Sequence, residues 1–333
     1  MKRPLLWLAG TAAVAAGFAV PLVLGGRDAL VAAGSIPRLG ILALLALAGA
    51  SAIARAVKLR VLALRLGHRI GNGRALITAF ASDAAFQITP AGAGGYPATV
   101  LLLRRGGMPA AAGVALSAAD QALDTVFFAI ALPLACAFGI GDAVPRAWHA
   151  FAWLPAAVVS AVVAIAFAGW RLRARCWPPL RALLLRVRWL RSRRERVRAF
   201  CAQVATDLAR LRSGSPLVNL VLAASVAVQW LARYGVLWLA LVALGHVLPF
   251  GLVFVAQSVA LHAAQWTGAP AGIGGGDVAL AAALSSWAPL GALGSALLLW
   301  RLATFHAVLL AGAIAFACDR RRAGAPEAIA SEA

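Results

Sequence analysis

Gly268-Ala-Pro-Ala-Gly-Ile-Gly-Gly-Gly-Asp277 decides the fold, because a close copy of it occurs earlier in the chain. Pro90-Ala-Gly-Ala-Gly-Gly95 and Pro270-Ala-Gly-Ile-Gly-Gly275 agree at five of six positions, at an offset of 180 residues (90 to 270). A helix does not run through Pro-x-Gly-x-Gly-Gly unbroken, since proline lacks the N–H and glycine carries a high backbone entropy. Each break is entered and left through an apolar segment too short to be comfortable as a full membrane span. In a bilayer, broken backbone survives only where protein or a water-filled cavity surrounds it. Glycine- and proline-interrupted segments in matching positions of two halves point to a transport site.

Working outward, the composition makes the setting a membrane. The chain is 62% hydrophobic and only 13% charged, with a mean hydropathy of +0.86. Several apolar stretches exceed the roughly 20 residues that cross a bilayer as a helix. A soluble enzyme is excluded, and the alternating segments of a β-barrel are absent. The formal charge of +20 would suggest a nucleic-acid partner in a soluble chain, but its placement in loops explains it without one. The four cysteines show no metal-ligand spacing.

The sequence predicts an all-α polytopic membrane protein, with six full spans plus two re-entrant hairpins. Spans are expected over 5–24, 39–56, 109–138, 148–170, 216–244 and 289–317. The hairpins cover 75–103, broken at Pro90, and 250–287, broken at Pro270. On this topology 26 of the 31 lysines and arginines lie on one side, six of them in a loop over residues 55–74 and 13 in a basic loop over residues 171–212. By the positive-inside rule that side is cytoplasmic, and both termini face it. The 171–212 loop would lie against anionic lipid head groups. Halves at 39–140 and 216–318 then form an inverted repeat within one domain, 1–318, followed by a polar cytoplasmic tail, 319–333. The alternative is that the hairpins are full spans with glycine kinks.

Ionisable groups inside spans are costly and mark function by default. Asp120 and Asp124 stand four residues apart on one helix face. Arg233 and Arg301 lie in the second half, so acids concentrate in the first half and intramembrane arginines in the second. Cross-pairing of Asp120 or Asp124 with Arg301 or Arg233 would neutralise them, as static ion pairs or as a working cavity. Arg301 suits phosphoryl oxygens through its planar fork of donors. Backbone N–H groups around Gly272–Gly276, Gly274 among them, could add an anion nest, and Asp277 is a further candidate in the second hairpin. Pro90, Gly92 and Gly94 are the matching positions of the first break. Asp83, Gln87, His262 and His306 are further polar groups in these segments. No nucleophile elbow, zinc-protease or phosphate-loop motif is present, so neither a catalytic residue nor a cofactor is assigned.

Pro270-Ala-Gly-Ile-Gly-Gly-Gly-Asp277 resembles the Pro-Gly-Gly-x-Gly-x-x-Glu signature of the lysylphosphatidylglycerol synthase transmembrane region, the flippase-like domain family. Leu299-Trp-Arg-Leu-Ala-Thr-Phe305 is similar to that family's arginine-bearing last helix. Asp120-Gln-Ala-Leu-Asp124 is similar to its Glu-Arg-x-x-Asp segment, with Gln121 in place of the arginine. The first break matches the family's Pro-x-x-x-Gly-Glu only in its proline and a glycine. The resemblance spans roughly residues 40–318. It implies a domain that moves an amphiphilic lipid between leaflets of the bacterial inner membrane, like the membrane part of the multiple peptide resistance factor but with no room for its aminoacyltransferase domain. Relatives are linked to aminoacylated phospholipids, hopanoids and polyprenyl-linked lipids. The rival expectations are a membrane-embedded transferase using Asp120 or Asp124 as base, and a scaffold for an envelope-lipid pathway.

Overall fold

The computed structural model describes residues 3–139, 194–212 and 214–330, and every regular element in them is helical. In chain order these are α1 (Arg3–Gly34), α2 (Arg38–Arg65), α3 (Asn72–Ile88), α4 (Gly95–Arg105), α5 (Ala110–Leu134), α6 (Arg194–Arg212), α7 (Pro216–Ala243), α8 (Phe250–Trp266), α9 (Gly275–Leu284), α10 (Leu290–Arg301) and α11 (Ala307–Ala330). A short 3₁₀ turn at Pro90–Gly92 joins α3 to α4, and another at Pro270–Gly272 lies between α8 and α9. A wide π turn, Leu302–His306, links α10 and α11 into one long span.

Proline sets many of these boundaries. Pro37, Pro109, Pro249 and Pro289 each stand immediately before the first helical residue, in extended geometry. Their fixed φ leads the chain into the helix, and the N–H they lack would have had no helical partner there. Pro216 opens α7, and the Ser215 hydroxyl accepts from the Val218 backbone to cap it.

Four described helices are long and apolar enough to cross a membrane: Arg38–Arg65, Ala110–Gly139, Pro216–Ala243 and Leu290–Arg321. The first expected span, 5–24, lies within α1, and that helix is interrupted beyond it at Gly26, whose φ is 62°. The expected fourth span, 148–170, and the arginine loop up to residue 193 lie outside the described residues. The helix α11 runs on through Asp319. Asp319 is completely buried and binds Arg74 at the start of α3 and Arg105 at the end of α4, so one carboxylate ties both feet of the first hairpin to α11.

The long helices α2 and α7 lie side by side at the centre, α1 runs along α10, and α11 runs along α3. The last contact is intimate, since a Cβ at Gly312 would stand 2.3 Å from the Ala84 Cβ. Small residues let backbones approach in this way where apolar burial alone does not favour association. One half of α2, through Leu44, packs with Val236, Leu237 and Leu241 of α7 and Leu297 of α10. Its other half, through Leu59 and Leu62, packs with Ala79, Leu103 and Leu116 of α3, α4 and α5. The central helix therefore bridges the two hairpins, contributing to one buried cluster on each side.

Candidate functional site

The two Pro-Ala-Gly turns share one unusual backbone. Ala91 has φ 51° and ψ 21°, and Ala271 has φ 52° and ψ 17°. Each is followed by a glycine of positive φ, 71° at Gly92 and 63° at Gly272. Both turns close identically, with Gly92 N–H to the Thr89 carbonyl and Gly272 N–H to the Ala269 carbonyl, each at 3.1 Å. A left-handed alanine costs about 1–2 kcal/mol. Residues held in such conformations cluster at functional sites. The two turns also lie beside each other.

Beyond the shared core they diverge. In the first turn the Gly94 N–H donates to the Thr89 hydroxyl at 2.8 Å. In the second, Gly274 takes φ 86° and its N–H donates to Oδ2 of Asp277 at 2.9 Å. Asp277 also receives Nε of Arg301 on Oδ1, at 2.8 Å, and both side chains are buried. Nη1 of Arg301 reaches the Ala271 carbonyl at 3.2 Å, and its guanidinium carbon lies 4.4 Å from the Trp300 ring centre. Nη2 is buried and has no hydrogen-bond partner among the described residues. The second turn thus holds a buried cation with one donor unspent.

A second ionic cluster lies in the first half, and its partners differ from the expected ones. Asp120 and Asp124 do face the same way, but Lys58 of α2 takes both, its Nζ 2.6 Å from an oxygen of each. Arg55 pairs with Asp83 and lies 3.6 Å from Asp120. Arg233 approaches Asp83 at 3.7 Å, and Arg301 stays with Asp277. Buried cations therefore occur in the first half as well. Lys58 is wholly inaccessible and Arg55 nearly so, although both were placed in the inner loop over 55–74. The reason is that α2 continues as helix to Arg65 and turns these two, three residues apart, toward α3 and α5. The signal was the apolar run Val61–Leu64 beyond them, which a loop would not need.

The remaining polar groups sort by contact. His262 Nδ1 meets the Ser258 carbonyl of its own helix, and its ring stands edge-on to Phe128, so it does not enter either cluster. His306 stacks on Phe18 of α1 at 3.8 Å and sets Nδ1 against the Arg301 carbonyl. Gln87 donates across to the Thr304 carbonyl at 2.5 Å. Leu123 and Phe127, which flank Asp124 on α5, line an apolar cavity of about 680 Å³ whose other walls include Val226 of α7 and Phe254 of α8.

Comparison with known proteins identifies the family. The chain is 26% identical over 274 residues to the UPF0104 membrane protein of Archaeoglobus fulgidus, covering 78% of this chain and 80% of that protein. The family described as the lysylphosphatidylglycerol synthase TM region matches residues 6–312, nearly the whole span of helices containing both turns and both ionic clusters. The chain therefore belongs to the lysylphosphatidylglycerol synthase transmembrane region family.

Proposed function

We propose that the protein translocates a phosphate-bearing amphiphilic lipid between membrane leaflets, with no covalent step. The head group enters between the two Pro-Ala-Gly turns, and its phosphate takes the free Nη2 of Arg301. The observation that carries this reading is that buried donor, held at the second turn by Asp277 and the Ala271 carbonyl yet itself unfilled. A buried polar group without a partner costs about 1–3 kcal/mol, more when charged, so an incoming acceptor is favoured there. Guanidinium recognises phosphoryl oxygens well because its donors form a planar fork.

Several features support the reading. The turns, side by side, correspond to a closed state, and the site opens when they part. The equal geometry at Ala91 and Ala271 fits halves related as an inverted repeat, a design in which broken helices meet near the midplane. The apolar cavity beside Asp124 offers a wall for acyl chains. The bias of lysine and arginine along the sequence supports an orientation with both ends of the chain on the cytoplasmic side.

The test is reconstitution into vesicles containing a fluorescent phospholipid, with leaflet exchange followed by quenching of the outer label. Wild-type protein is expected to accelerate exchange and Arg301→Ala to abolish most of the acceleration. Equal rates for the two would overturn the assignment.

A further inference from the structure

Gln87 belongs to the first hairpin, three residues before Pro90, but its side chain works in the other half. Its Nε2 donates to the carbonyl oxygen of Thr304, inside the π turn that follows Arg301, and both residues are buried. A π turn holds one residue more than an α turn, which displaces its carbonyls from the regular ladder and leaves them in need of partners. Side chains meet one carbonyl inside this turn and two just before it. The Thr304 hydroxyl donates to the Trp300 carbonyl at 2.7 Å, His306 Nδ1 lies 3.1 Å from that of Arg301, and Gln87 takes that of Thr304. Of these three groups, Gln87 alone comes from the first half.

The offset in that turn governs where Arg301 points. On one side Arg301 is fixed to Asp277 and the Ala271 carbonyl. On the other, α11 is fixed to the first hairpin by Gly312 against Ala84 and by Asp319 on Arg74 and Arg105. Relaxing the π turn to α register would rotate one side against the other by about 100°, one residue's share of a helical turn. Since α11 is anchored along α3, Arg301 is the side that would turn away.

We propose that Gln87 is a positioning residue for head-group recognition. It holds the π turn in register, so that Nη2 of Arg301 faces the head group, and it passes movement of the first hairpin to the second turn. This rests on the reading of Arg301 as the phosphate donor.

The experiment compares two labelled lipids in vesicles carrying the full chain, phosphatidylglycerol and a phosphate-free glucosyl diacylglycerol. Wild-type protein is expected to favour the phosphate-bearing lipid, and Gln87→Met to reduce that preference about tenfold, the worth of one charge-assisted hydrogen bond. Arg301→Ala is expected to do the same, and the double variant to lose no more than Arg301→Ala alone. Gln87→Leu removes the donor while keeping an apolar side chain of similar reach, and replaces the methionine variant if that one does not fold. A merely structural role would slow both lipids alike and leave the preference intact, which overturns the proposal, as do losses that multiply in the double variant. A wild-type chain that moves neither lipid overturns the transport reading and this proposal with it, an outcome seen before any Gln87 variant is made.

Discussion

Arg301 donates from Nε to Oδ1 of Asp277 over 2.8 Å, and the other oxygen of that carboxylate holds the Gly274 N–H. One buried carboxylate thus fixes both the second turn and the cation beside it. Removing one member of a buried pair is costlier than removing both, because it leaves a charge without a counter-charge. Asp277→Ala is therefore expected to lower stability by about 3–5 kcal/mol. The double variant Asp277→Ala with Arg301→Met is expected to recover part of that loss. Thermal melting of the detergent-purified proteins checks the order, and a double variant less stable than Asp277→Ala would contradict it.

Lys58 has the same role in the first half, as the shared partner of Asp120 and Asp124. Lys58→Met leaves two carboxylates close together in the core, with the Arg55 guanidinium 3.6 Å from one of them. The expected loss is about 3–5 kcal/mol. Because the lysine is inaccessible, salt should barely alter the difference, whereas an exposed pair would be screened. Melting at low and high ionic strength tells the two apart, and a loss that vanishes in salt would place Lys58 at the surface.

The turns themselves make a paired expectation. A left-handed alanine costs about 1–2 kcal/mol and glycine loses about 0.5–1 kcal/mol to chain entropy, so Ala91→Gly and Ala271→Gly should each stabilise by up to about 1.5 kcal/mol. The opposite change at the neighbouring glycines should destabilise, and unequally. A Cβ at Gly92 would stand 2.2 Å from the Phe86 ring, while one at Gly272 would stand 2.9 Å from the Ala264 Cβ. Gly92→Ala is expected to melt lower than Gly272→Ala, and the reverse order would show that Phe86 moves aside freely.

Much of the helical frame was legible because its punctuation is local. Pro109, Pro249 and Pro289 stop one segment and start the next whatever surrounds them, and the helices begin within a residue or two of the expected positions. The duplicated Pro-Ala-Gly was legible for the same reason, as was the shared face of Asp120 and Asp124. Partner choice was not. Lys58 sits in a run of cations that reads by charge as an inner loop; the apolar run Val61–Leu64 marks a helix there, but only the packing of α2 on α3 and α5 buries the lysine. Gln87 and Thr304 are 217 residues apart, and nothing local in either announces the other.

The sequence by itself determined that this chain is a helical membrane protein broken twice at Pro-Ala-Gly, because hydropathy, proline and glycine act through the bilayer and the adjacent backbone. Only the tertiary structure decided that the two turns lie beside each other, that Asp277 rather than Asp120 or Asp124 receives Arg301, and that Lys58 joins the acids of the first half. Ion pairs in a low-dielectric core form with whichever counter-charge the helix packing brings within reach, and that distance is a property of the fold rather than of spacing along the chain.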